Sequence, residues 1–160
     1  LFISLKNKKL TLVVARRRIE VTAVRGVVKD FLDDVLVGDD GNNRLFGHGG
    51  DDTLTGGAGD DRLIGGAGTD TVDYSQSAKA INVSLAQGTA SGHDIGSDIL
   101  RGLENIVGGS GNDILTGSSG DNEIRAGAGN DTLYGGGGGG GGGGVRGSGL
   151  LSLTVMRYYT

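Results

Sequence analysis

Acidic side chains recur at fixed intervals in the middle of this sequence, and each follows a cluster of glycines by a few residues. Within each of two groups the interval is nine residues or a multiple of nine, and the carboxylates are Asp52, Asp61, Asp70, Asp113 and Asp131. Glycine permits the positive φ angles of tight turns and leaves its carbonyl oxygen unshielded. Carboxylate and carbonyl oxygens are the ligands that Ca2+ takes, six to eight at a time, whereas Zn2+ favours His and Cys. The spacing therefore predicts oxygen-ligated calcium sites.

From residue 38 the chain divides into nine-residue units of the form G-G-x-G-x-D-x-U-x, in which U is a large aliphatic residue. The units are GDDGNNRLF, GHGGDDTLT, GGAGDDRLI and GGAGTDTVD over residues 38–73, and GGSGNDILT, GSSGDNEIR and AGAGNDTLY over residues 108–134. The eighth residue is aliphatic in every unit and its neighbours are mostly polar. The end of each unit therefore predicts a very short strand with one inward side chain.

Three units depart from the pattern in ways that weaken their candidate sites. Asn43 and Asn122 replace the aspartate of their units, and Ala126 replaces a first-position glycine. We therefore expect about two good sites in the first block and one in the second, with weaker sites at the edges.

The repeated pattern resembles the RTX (hemolysin-type) calcium-binding nonapeptide repeat family, and the resemblance runs from residue 38 to residue 134. It implies an all-β fold, a right-handed parallel β-roll or β-solenoid in which two nonapeptides form one turn and Ca2+ lies between units n and n+2. On that basis the resemblance pairs Asp52 with Asp70, Asn43 with Asp61, and Asp113 with Asp131. It also implies that turn carbonyls complete the ligand shells, near Gly57, Gly59, Gly66, Gly68, Gly109 and Gly111.

A single unit is too poor in apolar side chains to fold without a cation. One buried aliphatic side chain contributes roughly 1.5–3 kcal/mol, whereas ordering each residue's backbone costs on the order of 1 kcal/mol or more. Strand hydrogen bonds recover about 1 kcal/mol each, and stacked carboxylates repel one another. We therefore predict that the repeats are disordered without calcium and fold when it binds. The competing interpretation is an acidic, glycine-rich linker that stays disordered, but such a linker would not need a strict register.

Charge and composition divide the chain into five segments. Residues 1–37 have a net charge of +4, residues 38–134 of −10 and residues 135–160 of +2. We interpret them as a basic N-terminal flank or capping strands (1–37), a first repeat block (38–73), an irregular β spacer (74–107), a second repeat block (108–134) and a glycine-rich linker and tail (135–160). Both ends are expected to be flexible or poorly ordered.

The spacer interrupts the repeat, because the 43 residues from Asp70 to Asp113 are not a multiple of nine. Residues 81–85 alternate in polarity and predict a strand, and the spacer as a whole is expected to form irregular β rungs that continue the solenoid. Asp98 is either an extra ligand or a solvated turn residue, and the second interpretation is favoured.

Outside the repeats the sequence contains few signals. The three arginines at residues 16–18 could suggest nucleic-acid binding, but without aromatic interleaving a capping strand or linker is favoured and no nucleic-acid partner is expected. The ten glycines at residues 135–144 predict a flexible coil, and a reading-frame error there is one hypothesis. No cleavable signal and no transmembrane run is predicted, and a first residue other than Met suggests a fragment of a longer polypeptide.

The sequence contains no catalytic motif that we recognise: HExxH, GxSxG, GK[ST] and the EF-hand frame are all missing. His48 and His93 are interpreted as exposed loop residues. We therefore predict a non-enzymatic module that binds Ca2+ outside the cell, within a larger bacterial protein (toxin, adhesin or exoenzyme) that uses the type I secretion machinery. The alternatives are an adhesion or polysaccharide-binding stalk, with cell-surface polysaccharide as its partner, and the non-catalytic tail of a secreted protease, lipase or epimerase.

Overall fold

The architecture is all-β. The computed structural model describes residues 31–135 and the backbone of three short strands outside that range, and none of these residues is helical. The strands are β1 (Leu10–Thr11), β2 (Arg18–Val21), β3 (Val35–Val37), β4 (Arg44–Gly49), β5 (Thr53–Thr55), β6 (Arg62–Ala67), β7 (Thr71–Asp73), β8 (Ile81–Ser84), β9 (Thr89–Gly92), β10 (Gly96–Arg101), β11 (Asn105–Val107), β12 (Ile114–Thr116), β13 (Ile124–Arg125), β14 (Thr132–Tyr134) and β15 (Thr154–Met156). The all-β prediction is confirmed. The described part of the chain contains no helix long and apolar enough to cross a membrane.

The strands form two sheets, and successive repeat units alternate between them. Sheet 1 has the order β1-β2-β3-β5-β7-β11-β13, and sheet 2 has the order β15-β14-β12-β8-β9-β10-β6-β4. Within sheet 1, Leu54 pairs in parallel with Leu36 on one side and with Val72 on the other, at a register of 18 residues. Each residue therefore lies beside its equivalent two nonapeptides away, which is the n to n+2 relationship that the family resemblance implied.

One aliphatic side chain from each repeat unit builds the core. All seven eighth-position residues are at most 2% exposed: Leu45, Leu54, Leu63, Val72, Leu115, Ile124 and Leu133. In a three-residue strand such as β5 the central leucine is fully buried, and the two flanking threonines are half-buried. The prediction of short strands with one inward side chain is thus confirmed. Because each unit adds so little apolar surface, the core is a narrow line of side chains between two sheets.

The repeat register begins one unit earlier than the glycine pattern indicates. Leu36 in β3 is 3% exposed and occupies the eighth position, and Asp34 is 1% exposed and occupies the sixth. Strand β3 pairs with β5 in the same register that relates the later units. The sequence does contain a signal for this unit, because Asp34 and Leu36 are in phase with Asp52 and Leu54, but the unit has none of the turn glycines.

The spacer enters both sheets, but unequally. The strand predicted over residues 81–85 is present as β8, and β9 runs antiparallel to both β8 and β10. Strand β10 then pairs in parallel with β6, and β11 pairs in parallel with β7 and β13. Sheet 2 therefore gains three strands from the spacer while sheet 1 gains one. The extra interior is filled by buried side chains from the spacer, namely Tyr74, Ile81, Val83, Ala90, Ile95 and Leu103.

Both ends of the chain contribute backbone pairing to the sheets. Strand β2 is parallel to β3 and antiparallel to β1, and β15 is parallel to β14. The expectations of poorly ordered ends and of a flexible coil over residues 136–144 fall on residues outside the described ones.

Leu115 and Ile114 offer a matched test of the narrow core, because they are neighbours with opposite exposure. Leu115 is fully buried and Ile114 is 43% exposed. We expect Leu115→Ala to lower the free energy of unfolding by about 2–5 kcal/mol and Ile114→Ala by less than about 1 kcal/mol. Urea denaturation in millimolar calcium measures both, and equal losses would contradict the assignment of the core.

Candidate metal centre

Glycines at the second and fourth positions let the turns stack in direct contact. Gly57, Gly59, Gly66 and Gly68 have positive φ angles of 99°, 109°, 133° and 138°. A methyl group on Gly66 would overlap the carbonyl oxygen of His48, and one on Gly68 would overlap that of Gly50. These glycines therefore serve both the turn conformation and the close approach of a turn 18 residues away. Their carbonyls, which the resemblance assigned to ligand shells, belong to these stacked turns.

Gly109 and Gly111 differ in backbone conformation from the turn glycines of the first block. Neither has a positive φ angle, whereas Gly127 and Gly129 in the last unit do, at 89° and 118°. A methyl group on Gly109 would overlap the carbonyl oxygen of Ser77. The first turn of the second block therefore stacks on the spacer, because no regular repeat unit precedes it.

The sixth-position side chains are buried, and four of them link their own turn to the turn 18 residues earlier. A backbone N–H donates to the side-chain Oδ1 found 18 residues later: Asp34 N to Asp52 at 2.8 Å, Asp52 N to Asp70 at 2.9 Å, Asn43 N to Asp61 at 2.8 Å, and Asp113 N to Asp131 at 2.9 Å. All of these side chains are at most 6% exposed. The three pairs implied by the resemblance are thus neighbours in space.

The second carboxylate oxygen of Asp61 and of Asp70 is the observation that suggests a cation site. Oδ2 of Asp61 and Oδ2 of Asp70 are buried and have no hydrogen-bond partner among the described residues. Each lies where a side chain on the first-position glycine of its own unit would be, Gly56 or Gly65, and the carbonyl oxygen of Gly102 reaches the same place beside Gly65. A buried carboxylate oxygen without a partner is costly. A recess lined by carboxylate and carbonyl oxygens fits a hard cation such as Ca2+.

Side-chain ligands alone would not complete such a site. Over residues 31–135, no group of three or more His, Cys, Asp or Glu side chains is arranged to hold a metal ion. Backbone carbonyls would therefore have to supply most ligands, which is the role that unshielded glycine carbonyls can fill.

The carboxylates hold their protons more tightly than free aspartate does. Burial, followed by the charges of Glu104 and Asp51, raises the pKa of Asp70 to about 6. Burial likewise raises the pKa of Asp61 and of Asp113, and in each case nearby carboxylates add to the effect. These shifts have the sign expected for stacked negative charges that lack a counter-ion.

Asp98 was misinterpreted from the sequence as a solvated turn residue. It is 2% exposed, and its Oδ1 accepts a hydrogen bond from Asp61 N at 2.9 Å. Its Oδ2 accepts a hydrogen bond from the Tyr74 hydroxyl at 2.7 Å. The sequence signal was Gly96, Asp98 and Leu100, which keep the spacing of the second half of a nonapeptide. Glu104 was also missed, and its Oε2 accepts from Asp70 N at 2.8 Å.

The fifth position forms a second ladder, which the sequence pattern left as a free position. Here the side chain of the earlier unit accepts from the backbone N–H of the later one: Asn42 from Asp60 at 2.9 Å, Asp51 from Thr69 at 2.8 Å, and Asn112 from Asn130 at 2.8 Å. Six of the seven units have Asn or Asp at this position, and this was the available signal. At the sixth position the earlier turn donates to the later one, and at the fifth position the later turn donates to the earlier one, so each of these pairs of stacked turns is joined by both kinds of hydrogen bond.

The two histidines have different environments. His93 is exposed, as expected, and contacts Lys79 Nζ at 3.0 Å and Asp94 Oδ1 at 3.1 Å. His48 is not an exposed loop residue, because it lies half-buried in β4 and stacks on Phe46 with 6.2 Å between ring centroids. It retains a positive φ of 79° at a position where the next two units have glycine.

Stacked parallel strands and buried turn carboxylates together define a metal-binding repeat protein. The family profile described as RTX calcium-binding nonapeptide repeat (4 copies) matches residues 32–62, 47–76 and 107–141, which together make up half of the chain. The chain belongs to this family, whose repeats bind Ca2+ and are generally non-catalytic. It is therefore a calcium-binding repeat module. A comparison with curated proteins gave no significant match.

Gly56→Ala tests the recess beside Asp61. A methyl group there would overlap Asp61 Oδ2, whereas one on Gly120 would have its nearest contact at 3.7 Å, with Ser118 Oγ. We expect Gly56→Ala to raise the calcium concentration at half-folding by about tenfold or more, because displacing the carboxylate removes a charged ligand. Gly120→Ala is the matched control and should leave the midpoint within about twofold. Equal midpoints in a calcium titration of the two variants would contradict the site.

Acid should favour the calcium-free fold. The pKa of Asp70 and that of Asp98 are about 6 in the fold against 3.8 ordinarily. Protonation of Asp70 and Asp98 therefore stabilises the calcium-free fold. This stabilisation is complete below about pH 4 and is lost as the pH rises through about 6. In chelator, the far-UV circular dichroism of β structure should be stronger at pH 4.5 than at pH 7.5, and Asp70→Asn should reduce the difference. A signal that weakens on acidification would show that the buried carboxylates do not control folding.

Proposed function

We propose that this chain is a calcium-dependent folding module and that its two sheets form a right-handed parallel β-roll. The observation that carries the proposal is the line of buried carboxylates. Asp61 and Asp70 each have an oxygen that is buried without a partner within residues 31–135. A fold that buries several negative charges in one line needs a cation to be stable at neutral pH.

In this proposal the ions lie between turns 18 residues apart. The side chains that would hold them are the pairs Asp52 and Asp70, Asn43 and Asp61, and Asp113 and Asp131, with carbonyls of the turns at Gly57, Gly59, Gly66, Gly68, Gly109 and Gly111. The bound ion would supply positive charge and replace the missing hydrogen-bond donors. At a calcium concentration ten times Kd each ion would add about 1.4 kcal/mol to the stability of the fold.

The calcium dependence suits a protein that folds after export. The repeats of this family typically belong to secreted bacterial proteins. We infer that the chain is a non-enzymatic part of a larger extracellular protein, a toxin, adhesin or exoenzyme, that passes the type I secretion machinery unfolded. Cytosolic calcium is too low to fill sites with the affinity of extracellular modules, about 10⁻⁴–10⁻³ M, whereas calcium outside the cell would fill them.

A second candidate function is binding to cell-surface polysaccharide. It is favoured by three arginines, Arg44, Arg62 and Arg101, on neighbouring strands of the outward face of sheet 2.

A calcium titration followed by far-UV circular dichroism tests the proposed switch. We expect a cooperative gain of β signal between micromolar and millimolar calcium, reversed by chelator and not produced by magnesium. Asp61→Asn should raise the midpoint by about tenfold or more, because one charged ligand is lost. Asp121→Asn removes the same charge from an exposed side chain and should change the midpoint by less than about twofold.

Two results would count against this function. A chain with full β signal in chelator at neutral pH would show that folding does not need the ion. Equal midpoints for Asp61→Asn and Asp121→Asn would show that calcium acts through general charge screening and not through the buried side chains.

A further inference from the structure

Three arginines lie together on the outward face of sheet 2. Arg44 in β4 is directly opposite Arg62 in β6, and Arg101 in β10 is opposite Ile64 in β6. These three are the arginine face, and they make up three of the five Lys and Arg residues between residues 38 and 134. None of them forms an ion pair within the described part of the chain. The same stretch contains fifteen Asp and Glu residues, so acidic partners are abundant in the sequence yet absent from this face.

The absence of acids extends across the sheet. The outward positions of its described strands β4, β6, β8, β9, β10, β12 and β14 hold no carboxylate, since the one acid within them, Asp98, points inward and is buried. Like charges directly opposite one another on adjacent strands are destabilising. The cross-strand pair of Arg44 and Arg62 therefore costs stability in the isolated chain, and an anion placed over it would remove that cost.

Two nitrogen atoms at this face lack a hydrogen-bond partner among the described residues. Nε of Arg62 and Nε2 of His48 are buried and have no hydrogen-bond partner among residues 31–135. His48 points to the same side of β4 as Arg44 and Phe46. Buried polar atoms in native proteins are normally satisfied, and those that are not call for an explanation.

Phe46 lies on the arginine face, where its ring contacts both Arg44 and His48. The Arg44 guanidinium lies 5.8 Å from the centroid of the Phe46 ring, and His48 stacks on the same ring. His48 adopts a φ of 79°, which is unfavourable for a residue with a side chain and is adopted by glycine at this position in the next two units. Strained backbone of this kind persists where the surroundings hold it in place, and it is concentrated at binding sites.

We propose that the arginine face binds an anionic polysaccharide whose sugars have carboxylate groups, that is, a polyuronate. Guanidinium groups bind carboxylates through two parallel hydrogen bonds. Adjacent strands are about 4.8 Å apart, so a polymer that runs across β4, β6 and β10 meets an arginine on each strand. The binding surface is distinct from the turns that hold the calcium ligands, and it gives the polysaccharide alternative a defined location.

The charge distribution and the shape of the face favour this partner over duplex nucleic acid and over a membrane. Duplex nucleic acid has one charge per about 1.7 Å, and the net −10 of residues 38–134 would repel it more strongly than it would repel a less densely charged polymer. Membrane insertion needs a protruding apolar surface, whereas Phe46 and Ile64 are only half-exposed and Arg44 lies over the Phe46 ring.

The test uses the full chain in calcium and a labelled oligogalacturonate as the probe, with binding measured by fluorescence anisotropy. The double variant Arg44→Gln/Arg101→Gln removes two exposed charges from the face and leaves the half-buried Arg62 in place, so the fold should be retained. Lys79→Gln/Arg125→Gln is the matched control, because it removes the same charge from exposed side chains elsewhere. We expect the first variant to bind at least about tenfold more weakly and the control to bind within about twofold of the parent. Circular dichroism must first show the same β signal for all three chains, which separates a folding defect from a binding defect.

Several outcomes would overturn the proposal. Equal weakening in the two double variants would mean that only net charge matters, and no weakening in either would mean that calcium bridges the polymer to the acidic turns. Binding of the fully methyl-esterified polymer as tightly as the acid would exclude carboxylate recognition. Arginine-dependent binding to phosphatidylglycerol vesicles without binding to the oligogalacturonate would assign the face to a membrane. Arginine-dependent self-association in sedimentation, again without polymer binding, would assign it to a second copy of the chain.

Discussion

The structure depends on a hydrogen bond between a backbone N–H and a carboxylate 18 residues later in the chain. This bond sets the register, because one carboxylate aligns two turns and the strand that follows each of them. It also buries the carboxylate, since the acceptor must lie between stacked turns. The same interaction that orders the repeat therefore creates an electrostatic cost. Under the proposed function a bound cation offsets that cost, so that folding and metal binding would be one process.

The spacer shows a second solution to the same problem. The Tyr74 hydroxyl donates a hydrogen bond to Oδ2 of Asp98. The equivalent Oδ2 atoms of Asp61 and Asp70 have no hydrogen-bond partner among the described residues. Asp98 and Tyr74 are both buried, and burial raises the pKa of each, to about 6 for Asp98 and well above 10 for Tyr74. A neutral donor thus takes the place that a cation would take in the repeats. The ladder of backbone-to-carboxylate hydrogen bonds therefore extends from Asp61 to Asp98 in the spacer, where a protein hydroxyl satisfies the second carboxylate oxygen.

On sheet 2 the arginines are segregated from the acids of the repeat turns. The acids of the fifth and sixth positions lie in the turns, where the sixth position is buried and the fifth joins adjacent turns through exposed hydrogen bonds. The arginines of sheet 2 lie on a flat strand surface, where the seventh and ninth positions point outward. Under the two proposals, this segregation leaves the carboxylate oxygens available for metal ions and the arginines available for an external anion. One fold therefore presents two chemically different surfaces.

The repeated pattern by itself determined the short strands, the inward line from Leu45 to Leu133 and the family, because a nine-residue period places equivalent atoms in equivalent positions. The n to n+2 pairing was implied by the family resemblance, and the 18-residue register of the strands shows it. It could not place residues that lack the pattern. Asp34, Asp98 and Glu104 join the ladders only because β3, β10 and β11 pair with repeat strands far away in the chain. The arginine face is likewise a tertiary feature. Arg62 and Arg101 are 39 positions apart in the sequence, and they come together only because β10 returns to pair with β6 across the spacer.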